Sequence, residues 1–464
     1  MRSDTAQDAL DELIRHSGLQ APEPDQVQIS GDDPVFPTRY RIAAAGAAAI
    51  AASGYAAAEL WRLRSGRGQG VAVDARAAAA ALRSIRYLQI DGRRPDDPFD
   101  PLSGFYPVRD GRWVSIHCNF PNHREAALKV LGAPPERAVA MRASAAWDGL
   151  ELEDAIHAAG GCAGLARSAE EWPQHAHAAA VAAQPLLEIV RIGDAPPQAL
   201  PPGARPLAGV RVLDLTRVLA GPTCARTLAE HGADVLKISA PHLPDSGAFE
   251  FDTGLGKRAA RLDLRDAGDA ATLRALAASA DVFSQSYRPG ALAGRGFAPE
   301  DLAQLRPGIV CVSLSAWGET GPWRARRGFD TIVQTVSGMA LASGEAGTPR
   351  YLPVSAIDYV SGYLMALGAM AALGRRAVEG GSWLVRVALA RTGRWITDRG
   401  VVADAALKNA AAELAPDEIA RLIMETASPL GRIRHLRPVA MLSQTPARWT
   451  QPPVPLDHDQ PVWV

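Results

Sequence analysis

The chain has 464 residues, more than one ordinary core holds, so two or three folded units are expected. Its 49 Lys and Arg balance 50 Asp and Glu, which leaves no bulk field to draw it to nucleic acid or an acidic membrane. Four cysteines without CxxC spacing argue against a disulfide framework or a structural zinc site, and favour a reducing, cytoplasmic setting.

The first residues, MRSDTAQDALDELIRHSG, mix charge with amphipathic spacing where an export signal needs a basic start and an apolar run. Residues 1–39 read as an N-terminal arm with a helix over 8–16 and a Pro/Asp/Gln-rich continuation. Residues 40–63 are Ala-rich and helical. Their most apolar stretch, 42–58, carries Ser53 and Tyr55 and falls short of the ~20 residues of a membrane span, so a buried, closely packed helix is expected and no membrane partner. A glycine turn, SGRGQ, leads to a strand at 71–73 and a helix at 75–87.

Residues 98–194 read as a small α+β unit in which Asp110-Gly111 joins two alternating runs, followed by helices near 122–131 and 150–159. APPQALPPGAR, residues 195–205, is a linker because its prolines remove backbone donors. The second half opens on LAGVRVLDLTRVLAGPTCARTLAEHGADVLKIS, a strand, tight turn, helix and strand. Further strands at 260–264, 282–285, 309–314 and 383–389, separated by helical segments that include 359–376, predict a parallel sheet covered on both faces. The expected class is thus α/β, a Rossmann-like parallel sheet with flanking helices in residues 206–395, with 396–464 as a C-terminal tail. LRSGRGQGVAV in the first half also echoes VEGGSWLVRVAL in the second, each after a long Ala/Gly/Leu helix.

The turn TRVLAGP leaves a strand's carboxyl end and enters a helix, where parallel sheets bind ligands. It has one glycine where GxGxxG has three, so NAD and FAD are excluded as guesses. Lys257, Arg258, Arg265, Arg288 and Arg295 recur around successive strands, as surface charge or as partners for phosphates. Asp358 stands where a long apolar helix begins, a place for a cap or for a nucleophile. His175 and His177, the closest histidine pair, are read onto a solvated helix, and no metal site is expected.

LAGVRVLDLTRVLAGP, GADVLKI, GKRAARLDL, ADVFSQSYRPGALAGRGF, LAQLRPGIVCVSLSAWGETGPW, GFDTIVQTVSGM and the Asp358 helix together resemble the class III coenzyme A transferases of the CaiB/BaiF type. The resemblance implies a CoA-binding Rossmann-like domain, a small second domain and an interlocked homodimer. It also implies Asp358 as the catalytic aspartate, Val218, Leu219 and Ala220 beside the thioester, and Leu262, Arg265, Ser286, Tyr287 and Arg295 around the nucleotide. Acyl-CoA and a free carboxylic acid are the implied substrates, with no permanently bound cofactor.

In the family's order, residues 40–97 correspond to a degenerate copy of the catalytic helix and strand, and the chain resembles two incomplete copies in tandem. Ala44 then stands opposite Asp358. Ser239 replaces a usual acidic residue, Leu219 a glutamine of formyl-CoA transferase, and the family's glycine-rich covering loop is missing. The expected reaction runs through an aspartyl anhydride and an aspartyl-CoA thioester, with backbone donors from 218–221 or 344–347. A 2-methylacyl-CoA racemase is the first rival, although Phe329 stands where such enzymes carry histidine; a non-catalytic CoA-binding scaffold is the second.

Overall fold

A computed structural model describes residues 5–464, and residues 1–4 of the arm lie outside them. Six strands of the second half form one parallel sheet in the order Lys257–Arg261, Asp234–Ser239, Arg211–Leu215, Val282–Gln285, Val310–Ser315, Ser382–Ala388. Numbered along the chain this is 3-2-1-4-5-6, which reverses between Arg211–Leu215 and Val282–Gln285. Ligands of doubly wound sheets settle outside the carboxyl ends of the strands at that reversal. Alternation sets the two faces: Val212, Val282, Val312 and Val385 enter one buried cluster, and Leu213, Leu236, Phe283 and Leu384 enter the other.

The first half completes this sheet, because Glu188–Gly193 pairs antiparallel with Ser382–Ala388. The small unit has its own antiparallel sheet, Gly104–Pro107, Trp113–Ile116 and Ala163–Leu165, over a core that includes Val114, Leu152 and Ile156. Residues 195–203 carry no regular structure. Beyond residue 396 the chain returns over both halves: the hairpin Ile423–Ser428 and Gly431–Leu436 pairs with Gln89–Ile90.

Two 24-residue helices, Ile42–Ser65 and Ala356–Glu379, pack side by side. Each is long and apolar enough to cross a membrane, yet 94% and 100% of their most apolar windows are buried inside the protein. Each ends at a glycine of positive φ, Gly66 at 73° and Gly380 at 72°, enters a strand, and passes directly into a further helix. The sequence echo is therefore a structural one. The strand Val71–Asp74 does not join the main sheet, however; it pairs with Val27–Ser30 and Met441–Leu442.

Two sequence expectations need correction. The strand expected at 260–264 spans Lys257–Arg261, because the Lys257 ammonium is buried against Asp214 and a charged residue can therefore open a core strand. His177 is fully buried, not solvated. Its Nε2 lies 3.2 Å from the Trp317 carbonyl, and its Nδ1 accepts from the Trp323 N–H at 3.2 Å. Burial holds its pKa down to about 4, so the ring is neutral. An alanine-rich helix offers no polar contrast from which that inward face could be read.

Glycines set how closely Ala356–Glu379 approaches its neighbours. A Cβ on Gly362 would lie 2.4 Å from the Ala220 carbonyl oxygen and 2.6 Å from Thr223 Cβ, whereas one on Gly374 would make ordinary contacts of 3.6–3.7 Å with Leu60 and Leu63. Gly362→Ala is expected to cost about 1–3 kcal/mol through overpacking. Gly374→Ala is expected to gain about 0.5–1 kcal/mol from helix propensity. Urea midpoints of the two variants, moving in opposite directions, check the packing.

Candidate active site

The turn after the first strand of the sheet is built on buried charge. Asp214 accepts from the Thr216 N–H and hydroxyl and from Lys257 Nζ at 2.7 Å, while Lys257 also donates to the Pro222 carbonyl at 2.9 Å. Lys237 Nζ donates to the Thr216 carbonyl at 2.9 Å and pairs with Glu250. Burial opposes ionisation of Asp214, but Lys257 and Lys237 outweigh it and hold the carboxyl below its ordinary range. Lys257 thus braces the turn from beneath and is not a surface partner for phosphate.

The braced turn is strained. Val218 adopts φ 70°, a left-handed conformation that β-branched residues rarely take. The helix Ala220–Glu230 begins immediately after, so the Ala220 and Gly221 N–H groups have no intrahelical acceptor, while Pro222 carries none and Thr223 N–H donates to the Leu219 carbonyl at 2.8 Å. Gly221 is required where it stands, since a Cβ there would lie 2.3 Å from Thr216 Cβ.

Beside this turn lies a cavity of about 380 Å³. Val218, Leu219, Ala220, Ser286, Tyr287 and Asp358 line it together, and the small unit contributes Phe120 and His123. An adjoining cavity of about 210 Å³ is lined by Leu262, Arg265, Tyr287, Arg295 and Ser239, and shares Leu243, Tyr287 and Ala291 with the first. All nine residues singled out from the sequence therefore line two connected cavities at the sheet's switch point. The 344–347 loop is not in the wall of either cavity. Arg265 pairs with Asp263 at 2.6 Å in solvent, and Arg295 donates to the Leu264 carbonyl at 2.7 Å.

Arg217, Arg324, Arg326 and Arg327 also line the larger cavity and were missed from the sequence, although WRARRG displays three of them. Phe329 was noticed only as a missing histidine. Its ring lies flat on His117, with centroids 3.8 Å apart and planes at 3°, and edge-on to His123 at 5.8 Å. Burial, foremost, depresses both histidines, to about 3 for His117 and about 4 for His123. A third cavity of about 630 Å³ is lined by His117 and Asp330, whereas Phe329 lines the first.

Asp358 is the third residue of the helix Ala356–Glu379 and is buried. It is not the cap of that helix, whose cap position is Ser355. Its N–H donates to Asp330 Oδ2 at 3.0 Å, and Gln334 Nε2 donates to Asp330 Oδ1. Among the described residues no hydrogen bond reaches the Asp358 carboxylate itself. Burial and the facing Asp330 charge raise its pKa well above the ordinary value, and burial raises Asp330 to about 6. A desolvated, unbonded carboxylate beside free backbone N–H groups can attack a carbonyl and have the resulting oxyanion stabilised.

The sequence pattern of CoA-transferase family III matches residues 26–199 and 207–417, two blocks that meet at the proline-rich segment. An acetyl-coenzyme A transferase, nodX, of Hypoxylon pulicicidum is 28% identical over 382 residues, 71% of this chain and 64% of that protein. Succinyl-CoA:glutarate CoA-transferase of Homo sapiens is 34% identical over 181 residues, 36% of this chain and 41% of that protein. The chain spans about half the length of the curated relatives it matches. Among solved structures, the Rv3272 protein of Mycobacterium tuberculosis is 31% identical with a TM-score of 0.39, over 42% of this chain and 57% of that one. A CAIB/BAIF family protein from Brucella suis is 29% identical with a TM-score of 0.38, over 41% and 55%.

Asp330 and Asp358 both bind a proton more readily in the folded chain than when unfolded. Their contribution to stability is fully present below about pH 4 and is lost as pH climbs through 6 and above. Asp358→Asn removes one of the two titrating groups. Its stability should therefore gain on the wild type by about 1–3 kcal/mol between pH 4.5 and 8 in urea titrations. A difference that stays flat across that range would contradict the facing-carboxylate picture.

Proposed function

Because the chain belongs to CoA-transferase family III, we propose that it moves coenzyme A from an acyl-CoA thioester to a free carboxylic acid through Asp358. The observation that carries this reading is an unbonded buried carboxylate in the same cavity as the strained 218–220 turn. In the proposed placement the nucleotide occupies the smaller cavity, with Leu262, Arg265, Tyr287 and Arg295 around it, and the thioester arm runs past Ser286 and Val218. No bound cofactor takes part.

Asp358 attacks the acyl carbonyl and the CoA thiolate leaves, which gives a mixed anhydride on the enzyme. The thiolate then attacks the aspartyl carbonyl and expels the donor acid, leaving an aspartyl-CoA thioester. The acceptor carboxylate attacks that thioester, a second anhydride forms, and the returning thiolate takes up the new acyl group and frees Asp358. Each step places negative charge on a carbonyl oxygen near the first N–H groups of Ala220–Glu230. Because Phe120 and His123 of the small unit already line the cavity within one chain, the proposed cytoplasmic homodimer is not needed to bring that unit to Asp358.

One observation favours a second reading. His123, a neutral imidazole, shares the cavity with Asp358, so proton transfer at the α-carbon of a 2-methylacyl-CoA has both an acid and a base at hand. Incubation with mixed acyl-CoAs and acids, read by mass spectrometry, decides between the two. New thioesters and a CoA adduct on the Asp358 peptide are expected. Asp358→Ala should abolish exchange and leave CoA binding within about threefold, because uniform binding contacts are untouched. Deuterium uptake at the α-carbon without an acceptor acid would support the racemase reading, and CoA binding with neither reaction would support a scaffold.

A further inference from the structure

An aspartate at the third position of a helix ordinarily turns back to bond the N–H of the cap residue before it, and its charge favours the free N–H groups of the first turn. Among the described residues Asp8 and Asp301 do so, while Asp269, third in Ala267–Ala277, accepts the Asp263 N–H at 2.7 Å instead. Asp8 accepts the Thr5 N–H at 2.9 Å, and Asp301 accepts the Ala298 N–H at 3.2 Å. Asp358 occupies the same position and does not. The donors it would use are already taken: Ser355 N–H by the Leu82 carbonyl at 3.0 Å and Asp358 N–H by Asp330 at 3.0 Å.

We propose that Asp330 is a positioning residue that, together with the Leu82 carbonyl at Ser355, occupies the N–H groups at the start of the catalytic helix and so keeps the Asp358 carboxylate turned into the cavity as a nucleophile. This rests on the transferase reading for its consequence, but not for its geometry.

The first half holds an internal counterpart. At the start of Ile42–Ser65, the Asp33 oxygens accept the Ala43 and Ala44 N–H groups, each at 2.9 Å. Ala43 and Ala44 are the second and third residues of that helix, as Ile357 and Asp358 are of theirs. A remote carboxylate on the third-residue N–H is thus present in both halves, while the third-position aspartate is present in one. Asp33 reaches its helix from 10 and 11 residues away and Asp330 from 28, so the arrangement does not follow from loop length. At Asp33 the device only closes a helix; at Asp330 it also leaves a carboxylate without a local donor. Arg217, Arg288, Arg324, Arg326, Arg327 and His123 share the Asp358 cavity, and none of them is bonded to it.

Asp330→Ala releases the Asp358 N–H, and the Asp358 side chain is then expected to fold back onto its own first turn. Thioester exchange should fall about 10- to 100-fold in kcat, with KM for acyl-CoA within about threefold. Asp330→Asn keeps one acceptor and removes the charge, so the acid limb of the kcat profile should move about one pH unit lower with the smaller loss in rate. Asp33→Asn should lower Tm and leave exchange within about twofold. Wild-type kcat in Asp330→Ala, or an unmoved acid limb in Asp330→Asn, overturns the proposal.

Should Asp330→Ala fail to fold, the Asp330→Asn limb decides. If the wild type exchanges no thioester, the transferase reading fails on its own. Positioning is then judged by the pH dependence of carbodiimide labelling of Asp358 in wild type and Asp330→Asn, where coincident curves refute it and a lower midpoint in Asp330→Asn supports it.

Discussion

A helix that is apolar around its whole circumference must be covered on every side. Ala356–Glu379 is such a helix, and three different parts of the chain cover it: the sheet beneath, Ala220–Glu230 along one flank, and Ile42–Ser65 along another. Its position is therefore over-determined by packing, and the position of its first turn follows. Gly362 sets the closeness of one contact, letting the Ala220 backbone approach one turn beyond Asp358. Asp358 and the strained turn meet because two packed helices have no alternative distance at which to pack.

Buried polar groups then fix the register between the halves. Arg226 pairs with Asp252 at 3.0 Å, and the Ser84 hydroxyl donates to Asp252 at 2.6 Å beside the Tyr359 hydroxyl. All four side chains are buried, one comes from the first half, and Tyr359 follows Asp358 directly. A network of this kind tolerates little sliding, because any shift strands a charge or hydroxyl without its partner. Leu82 adds a main-chain tie at Ser355, so first-half atoms meet Ala356–Glu379 at its opening turn as well as along its length.

Much of this was legible in the sequence because it is local. The strand, turn and helix at 207–239, the alternation that gives the sheet two apolar faces, and the start of a helix near Asp358 are each written in a short contiguous stretch of the chain. The echo between the halves was legible too, since a long Ala/Gly helix, a glycine and a β-branched strand form a pattern that survives divergence. What stayed hidden was non-local. Lys257 looked like surface charge because its partner, Asp214, lies 43 residues away. His177 looked solvated because its partners are Trp317 and Trp323. Asp330 lay in plain sight within GFD, but its bond to Asp358 becomes visible only once both helices are placed.

The covering of Ala356–Glu379 by Ile42–Ser65 has a consequence for how the chain is made. Synthesis runs from the amino end, so the first of the two long helices leaves the ribosome some 300 residues before the second that buries it. Its exposed stripe of alanine, isoleucine and tyrosine must wait, and a nascent chain in that state is prone to association with its neighbours. Alanine suits the delay. A methyl group presents far less greasy surface than leucine or phenylalanine, yet still packs tightly when its partner arrives.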